Sequence, residues 1–181
     1  MKFDSNLQRK IMGCFATGVT IVTTRAGDVI WGMTANAITS LSLDPPLVLI
    51  SVDRRNAIQE YIRDGQCFAI NFLGVEHEMI SSAFATPGPK DFSELALLVG
   101  ATGSPILADS IAYVDCRLER TVPGGDHDIF IGRAVDGSVS DGRPLIFFRG
   151  KYCELAQETF NAKIPSDSYP LDDTYNYYGS F

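Results

Sequence analysis

Alternating apolar and polar positions run through much of the chain and predict strands joined by short connections. Val19 to Thr24 is rich in β-branched residues, and Ala26-Gly27-Asp28 is a turn sequence that leads into a strand from about Val29. These two strands predict a hairpin. A further strand is predicted at Leu47 to Val52, after Asp44-Pro45-Pro46, whose prolines donate no backbone N–H and therefore mark a sharp connection.

The second half of the chain has the same character. Pro123-Gly124-Gly125-Asp126 predicts the turn of another hairpin. Strands are predicted at Cys67 to Leu73, Ala112 to Glu119, His127 to Ala134, Leu145 to Phe148 and Tyr152 to Leu155. About seven strands with hairpin-length connections indicate a mainly β protein with an antiparallel sheet. Closing that sheet into a small Greek-key barrel would remove its exposed edges.

Helices are predicted at only a few places, which excludes a helical bundle and a Rossmann fold. The first begins at a cap formed by Asp4-Ser5-Asn6. The second runs from Asn56 to about Arg63, and the third from Val75 to Phe84. Gln59 stands three residues after Asn56 and completes the pattern of a capping box. A looser helical piece is predicted after Asp91. We expect these helices to lie at the periphery of the sheet.

Composition and charge limit the classes of protein to which this chain can belong. The 181 residues, 45% of them hydrophobic, suffice for one domain with a full core. We expect this domain at 1–158, followed at 159–181 by an aromatic extension that packs on the domain or on a second subunit. A net charge of −7 disfavours binding to nucleic acid, whose phosphates the average surface would repel.

The chain also lacks the sequence marks of membrane insertion, export and metal binding. It has no apolar run of the roughly 20 residues that a membrane helix needs, and Met-Lys-Phe-Asp-Ser at its start has no apolar signal core. None of the four cysteines belongs to a Cys-x-x-Cys pair, and the two histidines are not spaced as metal ligands. We therefore expect free thiols, a cytoplasmic protein and no metal.

Two places in the pattern are candidates for ligand binding. Arg54 and Arg55 precede the helix start at Asn56, where free backbone N–H groups favour an anion; the alternative is an ordinary capped helix beside solvated arginines. His127 follows two glycines at the start of a strand, and the alternative is a turn with an incidental histidine. His77 is interpreted as a solvated side chain. Because no catalytic triad or carboxylate pair stands out, any hard chemistry would belong to a bound cofactor.

Five separated blocks of sequence resemble the flavin reductase-like family, over about residues 8 to 156. They are Phe15 to Thr24, Gly32 to Arg54, Cys67 to Leu73, Gly125 to Gly132, which contains Gly125-Asp126-His127, and Pro144 to Leu155. The resemblance implies an antiparallel Greek-key split β-barrel that binds flavin and usually forms a homodimer. It also implies reduction of FMN or FAD by NADH or NADPH, with the reduced flavin passed to a separate monooxygenase.

The resemblance also implies roles for residues. Those along the flavin ring and ribityl chain would be Thr34, Ala35, Asn36, Ser40 and Ser42, with Ser51, Val52 and Asp53 flanking the same portion. Those at the phosphate would be Arg54, Arg55 and Asn56, and Phe84 would lie near the flavin. His127 would help to seat the nicotinamide, with Tyr152 close to it. A flavin-binding protein that retains its cofactor for another redox or carrier role is the alternative function.

Overall fold

The computed structural model describes residues 3–156, and most of this part of the chain is β-structure. The strands are β1 (Thr17–Gly18), β2 (Thr20–Ala26), β3 (Val29–Ala35), β4 (Ile38–Leu43), β5 (Pro46–Asp53), β6 (Cys67–Phe72), β7 (Leu97–Val99), β8 (Pro105–Leu107), β9 (Ala112–Gly124), β10 (His127–Val139), β11 (Ile146–Phe148) and β12 (Lys151–Cys153). The helices are α1 (Ser5–Met12), α2 (Ile58–Gly65) and α3 (Glu78–Ala85), with one 3-10 turn, Val75–His77, before α3. None of these helices has the length and apolar character needed to cross a membrane.

Seven strands form one antiparallel sheet in the order β3-β2-β6-β9-β10-β5-β4. β1, β11 and β12 form a second, three-stranded sheet, and β7 pairs with β8. The mainly β, antiparallel architecture expected from the alternation is therefore confirmed. The expected hairpins are also present, with Ala26 opposite Val29 and His127 opposite Gly124.

The two edges of the large sheet are consecutive in the chain. β3 and β4 stand at opposite edges, yet only Asn36 and Ala37 separate them. A flat sheet of this order would be about 29 Å wide, whereas the two-residue connection spans at most about 11 Å. The sheet therefore rolls round until its edges meet at this end, as a split barrel requires.

The core lies on both faces of β2, because successive residues of this strand point to opposite sides. Val22 packs with Ile58 and Ile62 of α2 and with Phe68 and Phe130 of the neighbouring strands. The other face belongs to a second cluster under α3, and its buried members are Val19, Ile21, Leu73, Phe84, Leu107 and Leu145. The two helices thus cover opposite faces of the sheet beside its edge at β3.

Three local predictions were wrong. The segment after Asp91 is not helical; the Asp91 carboxylate accepts a hydrogen bond from the backbone N–H of Ser93, 2.9 Å away, which closes a turn. The β7–β8 hairpin was missed. Gln59 does not complete a capping box, because its Nε2 donates to the carbonyl of Val52 at 2.9 Å. Asn56 does bond the start of α2, accepting at Oδ1 from the N–H of Ile58 at 3.1 Å.

The predicted start of α1 is confirmed, and apolar side chains at the end of this helix and just after it are exposed. The Asp4 carboxylate accepts a hydrogen bond from the backbone N–H of Leu7 at 2.8 Å. Ile11, Met12 and Phe15 all lie open to solvent. The aromatic extension expected at 159–181 lies outside the described residues.

Candidate active site

A cavity of about 490 Å³ lies at the outer edge of β3, between the beginning of α2 and the end of α3. This volume falls in the range of small-molecule sites. The walls come from β3, from the end of β5 and the residues after it, and from the end of α3 with the connection after it. They are Trp31, Gly32, Met33, Asp53, Arg55, Asn56, Ala57, Phe84, Ala85, Thr86, Pro87, Gly88 and Lys90.

The apolar wall is held in place by aromatic packing. The ring of Trp31 stacks on Tyr61 of α2, with centroids 4.7 Å apart and planes 13° from parallel. Phe84 meets Phe92 edge to face at 5.1 Å. Gly32 allows this arrangement, since a Cβ there would lie 2.8 Å from Cε1 of Phe84. The wall is therefore fixed before any ligand arrives.

Asp53 and Arg55 form an ion pair at the rim of the cavity. Nη2 of Arg55 lies 2.6 Å from Oδ2 of Asp53, and the backbone N–H of Arg55 donates to Oδ1 at 2.9 Å. The hydrogen bonds from Arg55 hold the pKa of the Asp53 carboxyl well below its usual range, and the same pairing raises the pKa of Arg55. Both groups are therefore charged throughout the physiological range.

Lys90 places a second cation at the cavity, and all of its described partners are uncharged. Its Nζ donates to the carbonyl of Ala83 at 3.3 Å, to the hydroxyl of Thr86 at 3.2 Å and to the carbonyl of Thr86. Within residues 3–156 it has no carboxylate partner. Desolvation lowers its pKa. An anion in the cavity would stabilise this charge.

Four of the residues predicted to bind flavin meet at this cavity. Asp53 ends β5 and Arg55 and Asn56 follow it, whereas Phe84 comes from α3, which lies on the face of the sheet opposite to α2. Asn56 also touches β3, where its Nδ2 lies 3.3 Å from Sδ of Met33. The structure thus brings together the predicted phosphate region and the predicted aromatic position.

Thr34 and Tyr152 meet at Ser81 on α3, outside the cavity wall. The Thr34 hydroxyl donates to the Ser81 carbonyl at 2.6 Å, and the Tyr152 hydroxyl lies 2.8 Å from Oγ of Ser81. Tyr152 also packs edge to face on Phe147 at 5.5 Å. Both side chains are thereby attached to the helix that carries Phe84.

The remaining residues predicted along the flavin ring divide into exposed and buried positions. Asn36 is exposed and donates to the Thr17 hydroxyl at 3.1 Å; Ser40 is exposed and Ser42 is half-buried on β4. Ser51 is half-buried, and its N–H donates to the Ala37 carbonyl at 2.9 Å.

The side chains of Ala35 and Val52 belong to the core, so at these two positions only the backbone is available to a ligand.

Arg54 points away from the cavity, unlike Arg55. Its guanidinium lies 2.9 Å from Oδ1 of Asp128, and Arg63 of α2 lies 2.6 Å from Oδ2 of the same carboxylate. This carboxylate therefore joins α2, β10 and the segment after β5. The structure gives Arg54 a role in packing rather than in the wall of the cavity.

His127 stands beside the cavity, directly opposite Asp53 in the pairing of β10 with β5. Its Nδ1 lies 2.8 Å from Oδ1 of Asp126, and the pKa of Asp126 is lowered by this hydrogen bond. The turn that presents the pair contains Gly125 with φ of 75°, a conformation that favours glycine.

Trp31, Met33 and the residues from Thr86 to Lys90 were not predicted as site residues. The sequence marked Thr86-Pro87-Gly88-Pro89 as a loop, but nothing in the pattern placed it across β3. Trp31 is the only tryptophan of the chain and stands in an alternating strand, which was the available signal. Trp31 and Lys90 line the same cavity because of the way in which α3 crosses the sheet.

Comparison with known proteins gives a match over nearly all of the described chain. The family model described as "Flavin reductase like domain" matches residues 12–156. An NADH-dependent flavin reductase of a Rhodococcus species is 39% identical over 150 residues, covering 81% of this chain and 84% of the relative.

A second relative and a solved structure agree with this match. The reductase component of a 4-nitrophenol 4-monooxygenase/4-nitrocatechol 2-monooxygenase from Rhodococcus opacus is 38% identical over 144 residues, covering 80% of this chain and 77% of the relative. The structure of the NADH:FAD oxidoreductase SgcE6 from Streptomyces globisporus superposes with a TM-score of 0.80 at 33% identity. It covers 86% of this chain and 96% of that one.

Proposed function

The chain belongs to the flavin reductase-like family, and on that premise we propose that it uses NADH to reduce FMN or FAD and supplies the reduced flavin to a separate monooxygenase. The observation that carries the proposal is the meeting, at one cavity, of Asp53, Arg55 and Asn56 with Phe84, which is distant from them in the sequence. The reaction class is oxidation and reduction.

The residues present fit a flavin nucleotide. A flat aromatic ring with a phosphate needs apolar and aromatic surface next to cationic and amide groups. The cavity supplies both, through Trp31 and Phe84 on one side and Arg55 and Asn56 on the other. The chemistry that a bound nicotinamide and flavin supply is hydride transfer, for which no acid, base or nucleophile of the protein is required.

The protein's own contribution is to bind, orient and exclude water. We assign the flavin ring and ribityl chain to the backbone and short side chains at Thr34, Asn36 and Ser51, and the phosphate to Arg55 and Asn56. Holding two reacting rings in contact can supply roughly 7–11 kcal/mol of the barrier in favourable cases. The sheet provides a rigid support because its strands are hydrogen-bonded to their neighbours.

His127 is assigned to the nicotinamide. Its Nδ1 is held by Asp126, so Nε2 is the ring nitrogen left for a ligand. Tyr152 positions the adjacent helix through Ser81.

Oxidation of NADH in the presence of added FMN or FAD, followed at 340 nm, tests the function. Comparing NADH with NADPH, each with FMN and with FAD, defines the preferred pair. A purified protein that stays yellow and ignores both nicotinamides and added flavins would contradict the proposal and favour the cofactor-retaining alternative.

Replacing His127 tests its assignment separately. We expect His127→Ala to raise the KM for NADH at least about tenfold, because a polar contact to the nicotinamide is lost, while the Kd for flavin changes little. Stopped-flow reduction measures the first and flavin titration the second. Equal losses in both would show that His127 does not act on the nicotinamide.

We also propose that the protein is a homodimer. Ile11, Met12 and Phe15 form a contiguous exposed apolar stretch at α1, a feature that commonly marks an interface. Thr17, two residues after Phe15, bonds Asn36. A partner seated on this stretch would therefore lie beside the residues assigned to the flavin.

Its place of action is proposed to be the cytoplasm. Cys14, Cys67, Cys116 and Cys153 are all free thiols in the structure, as a reducing compartment favours. Cell fractionation would test this.

A further inference from the structure

The last turn of α1 and the β11–β12 hairpin form one continuous surface, called here the α1 surface. The backbone N–H of Arg149 donates to the carbonyl of Gly13 at 2.9 Å, and Nη2 of Arg149 lies 3.8 Å from Sγ of Cys14. This sulfur lies in turn 3.5 Å from the carbonyl of Lys10. The α1 surface also carries the exposed apolar side chains of Ile11, Met12 and Phe15.

The α1 surface is basic, although the whole chain has a net charge of −7. Its charged side chains are all exposed, and they belong to Arg9, Lys10, Arg149 and Lys151. No carboxylate within residues 3–156 forms an ion pair with any of them. A surface that combines cations with apolar side chains is complementary to an acidic segment rich in aromatic residues.

Arg149 takes its place in this surface with an unfavourable backbone conformation. Arg149 and Gly150 connect Phe148 to Lys151, which are paired, and have φ of 50° and 78°. A two-residue hairpin turn with two positive φ angles favours asparagine or glycine at its first position, since other side chains rarely adopt positive φ. An arginine where the turn alone would favour asparagine indicates a role for its charge.

The chain itself contains a segment of the complementary chemistry. Residues 157–181, outside the described part of the structure, include four acidic residues and one lysine, a net charge of −3, together with six aromatic residues. Asp172 and Asp173 stand close in the sequence to Tyr175, Tyr177 and Tyr178. These 25 residues can span up to about 80 Å when extended, which is enough to reach a second subunit.

This segment begins at the end of the hairpin opposite to the α1 surface. β12 runs away from the turn at Arg149, and Glu154, which follows β12, pairs with Arg143. The carbonyl of Arg143 accepts a hydrogen bond from the N–H of Val75 at 2.9 Å, at the start of the turn that contains Glu76. The chain therefore leaves the hairpin in a direction away from the α1 surface of its own subunit.

We propose that residues 157–181 of each subunit cross to the α1 surface of the other subunit in the homodimer, with their acidic residues at Arg149 and their aromatic residues on Ile11, Met12 and Phe15. The proposal rests on the proposed dimer and makes it more specific. A stable interface buries about 800 Å² on each side and involves about 20–30 residues. The short apolar stretch at α1 cannot supply this area alone, and the two exchanged segments supply the rest.

Arg149→Asn in the full-length chain is the first test. Asparagine suits positive φ, so the circular dichroism spectrum should not change. The dimer dissociation constant from sedimentation should rise at least about tenfold, as expected for loss of charged hydrogen bonds. Arg120→Gln, which removes the same charge from an exposed position on β9, is the matched control and should leave this constant unchanged.

The acidic side of the contact is tested by Asp172→Asn combined with Asp173→Asn. This variant should weaken the dimer by a similar factor, and adding Arg149→Asn should weaken it little further, because both remove the same contact. Raising the salt concentration should weaken the unsubstituted dimer more than any of these variants. Asp28→Asn combined with Asp64→Asn removes two charges from exposed positions elsewhere and should have no such effect.

Photo-crosslinking shows which subunit the segment contacts. With benzoylphenylalanine in place of Tyr177, irradiation should give a covalent dimer in which the crosslinked peptide comes from the α1 surface. The same photoreactive residue in place of Met79, which is 85% exposed on α3, should not crosslink to that peptide. A crosslink from position 177 to α1 within a single chain would overturn the exchange between subunits.

The proposal is also overturned if Arg149→Asn and the double aspartate variant leave the dimer dissociation constant unchanged. If the unsubstituted protein is nevertheless a dimer, only the exchanged segment is wrong and the proposed dimer stands. If the unsubstituted protein is a monomer at every concentration, both fail. Oxidation of NADH with added FMN, measured in parallel, reports on the proposed reductase function independently of either result.

Discussion

A methyl group on Gly32 would lie 2.8 Å from Cε1 of Phe84 and 3.2 Å from Cζ of Phe92. Both rings are held by their mutual edge-to-face packing, so neither can move without opening the wall of the cavity. We expect Gly32→Ala to lower the free energy of unfolding by about 1–3 kcal/mol, as other overpacked substitutions do. We also expect it to raise the Kd for flavin, as measured by fluorescence titration.

Gly18→Ala is the matched control, because a Cβ at Gly18 would have no neighbour within 4 Å. Its effect on both quantities should be small. An unfolding free energy for Gly32→Ala equal to that of the unsubstituted protein would show that Phe84 can shift freely and that the wall is not rigid.

Cys116 gives the stability a dependence on alkaline pH. Burial, with a further contribution from the carboxylate of Asp115, raises the pKa of its thiol from 9.0 to about 12. Between these values the unfolded chain releases the proton and the folded chain keeps it. The stability that this group confers is therefore complete below pH 9 and is lost as the pH rises toward 12.

Urea unfolding at pH 8 and pH 10 measures this dependence. The unsubstituted protein should lose more stability between the two pH values than Cys116→Ala does, whatever the stability of each at pH 8. Equal losses would mean that Cys116 ionises in the folded protein as readily as in the unfolded chain.

At the scale of elements, Asp128 is the joint between α2, β10 and the end of β5. Its side chain is only 12% exposed, and it receives charged hydrogen bonds from Arg54 and Arg63. We expect Asp128→Asn to lower the free energy of unfolding by about 1–3 kcal/mol, because two guanidinium groups lose their counterion but can still reach water. Chemical denaturation provides the measurement.

A surface ion pair provides the comparison for Asp128. Glu119 and Arg133 are paired at 3.0 Å with both side chains well exposed. Glu119→Gln should cost less than about 1 kcal/mol. If Asp128→Asn lowers the free energy of unfolding by as little as this, Asp128 does not hold α2, β10 and the end of β5 together.

The sequence predicted the long elements well because their signals are local. β-Branched residues located β2, the run after two prolines located β5, alternation located β6, and the glycine-containing turn located the β9–β10 hairpin. The β7–β8 hairpin was missed because its three-residue strands are too short to show a period, and Leu97 to Val99 is a uniformly apolar run. The false helix after Asp91 illustrates the same limit, since one side-chain bond to Ser93 decides that turn.

The site could be predicted only where its residues are close in the chain or supported by family resemblance. Asp53, Arg55 and Asn56 share one segment, and the resemblance added Phe84. Trp31 and Lys90 line the same cavity only because α3 crosses one face of β3 while α2 packs near its other face. The resemblance assigned Val52 to the ligand together with Ser51 and Asp53, yet alternation directs its side chain into the core.

At the scale of the whole molecule, Phe15 tests the proposed dimer. Its side chain is 69% exposed, so Phe15→Asp should leave the monomer folded while placing a charge in the interface. We expect this variant to sediment as a monomer at micromolar concentration, and the unsubstituted protein to sediment there as a dimer. The affinity for flavin should fall with it, because Thr17 and Asn36 lie next to that surface.

Met79→Asp is the control for the dimer, since Met79 is 85% exposed and belongs to α3, outside the stretch from Ile11 to Phe15. It should not alter the sedimentation. If Phe15→Asp and the unsubstituted protein have the same mass at every concentration, the interface lies elsewhere or does not exist.

The two-residue connection between β3 and β4 leaves no slack in the rolled sheet. Separating β3 from β4 would stretch the connection at Asn36 and Ala37 at once, so the sheet resists opening motions that could admit a large ligand. Entry and exit of a ligand must then depend on the walls of the cavity that are not part of a ladder, among them the wall from Thr86 to Lys90. A crosslink or a stiffer sequence in that wall should slow exchange of flavin without weakening its equilibrium affinity, which makes turnover and binding separable by engineering.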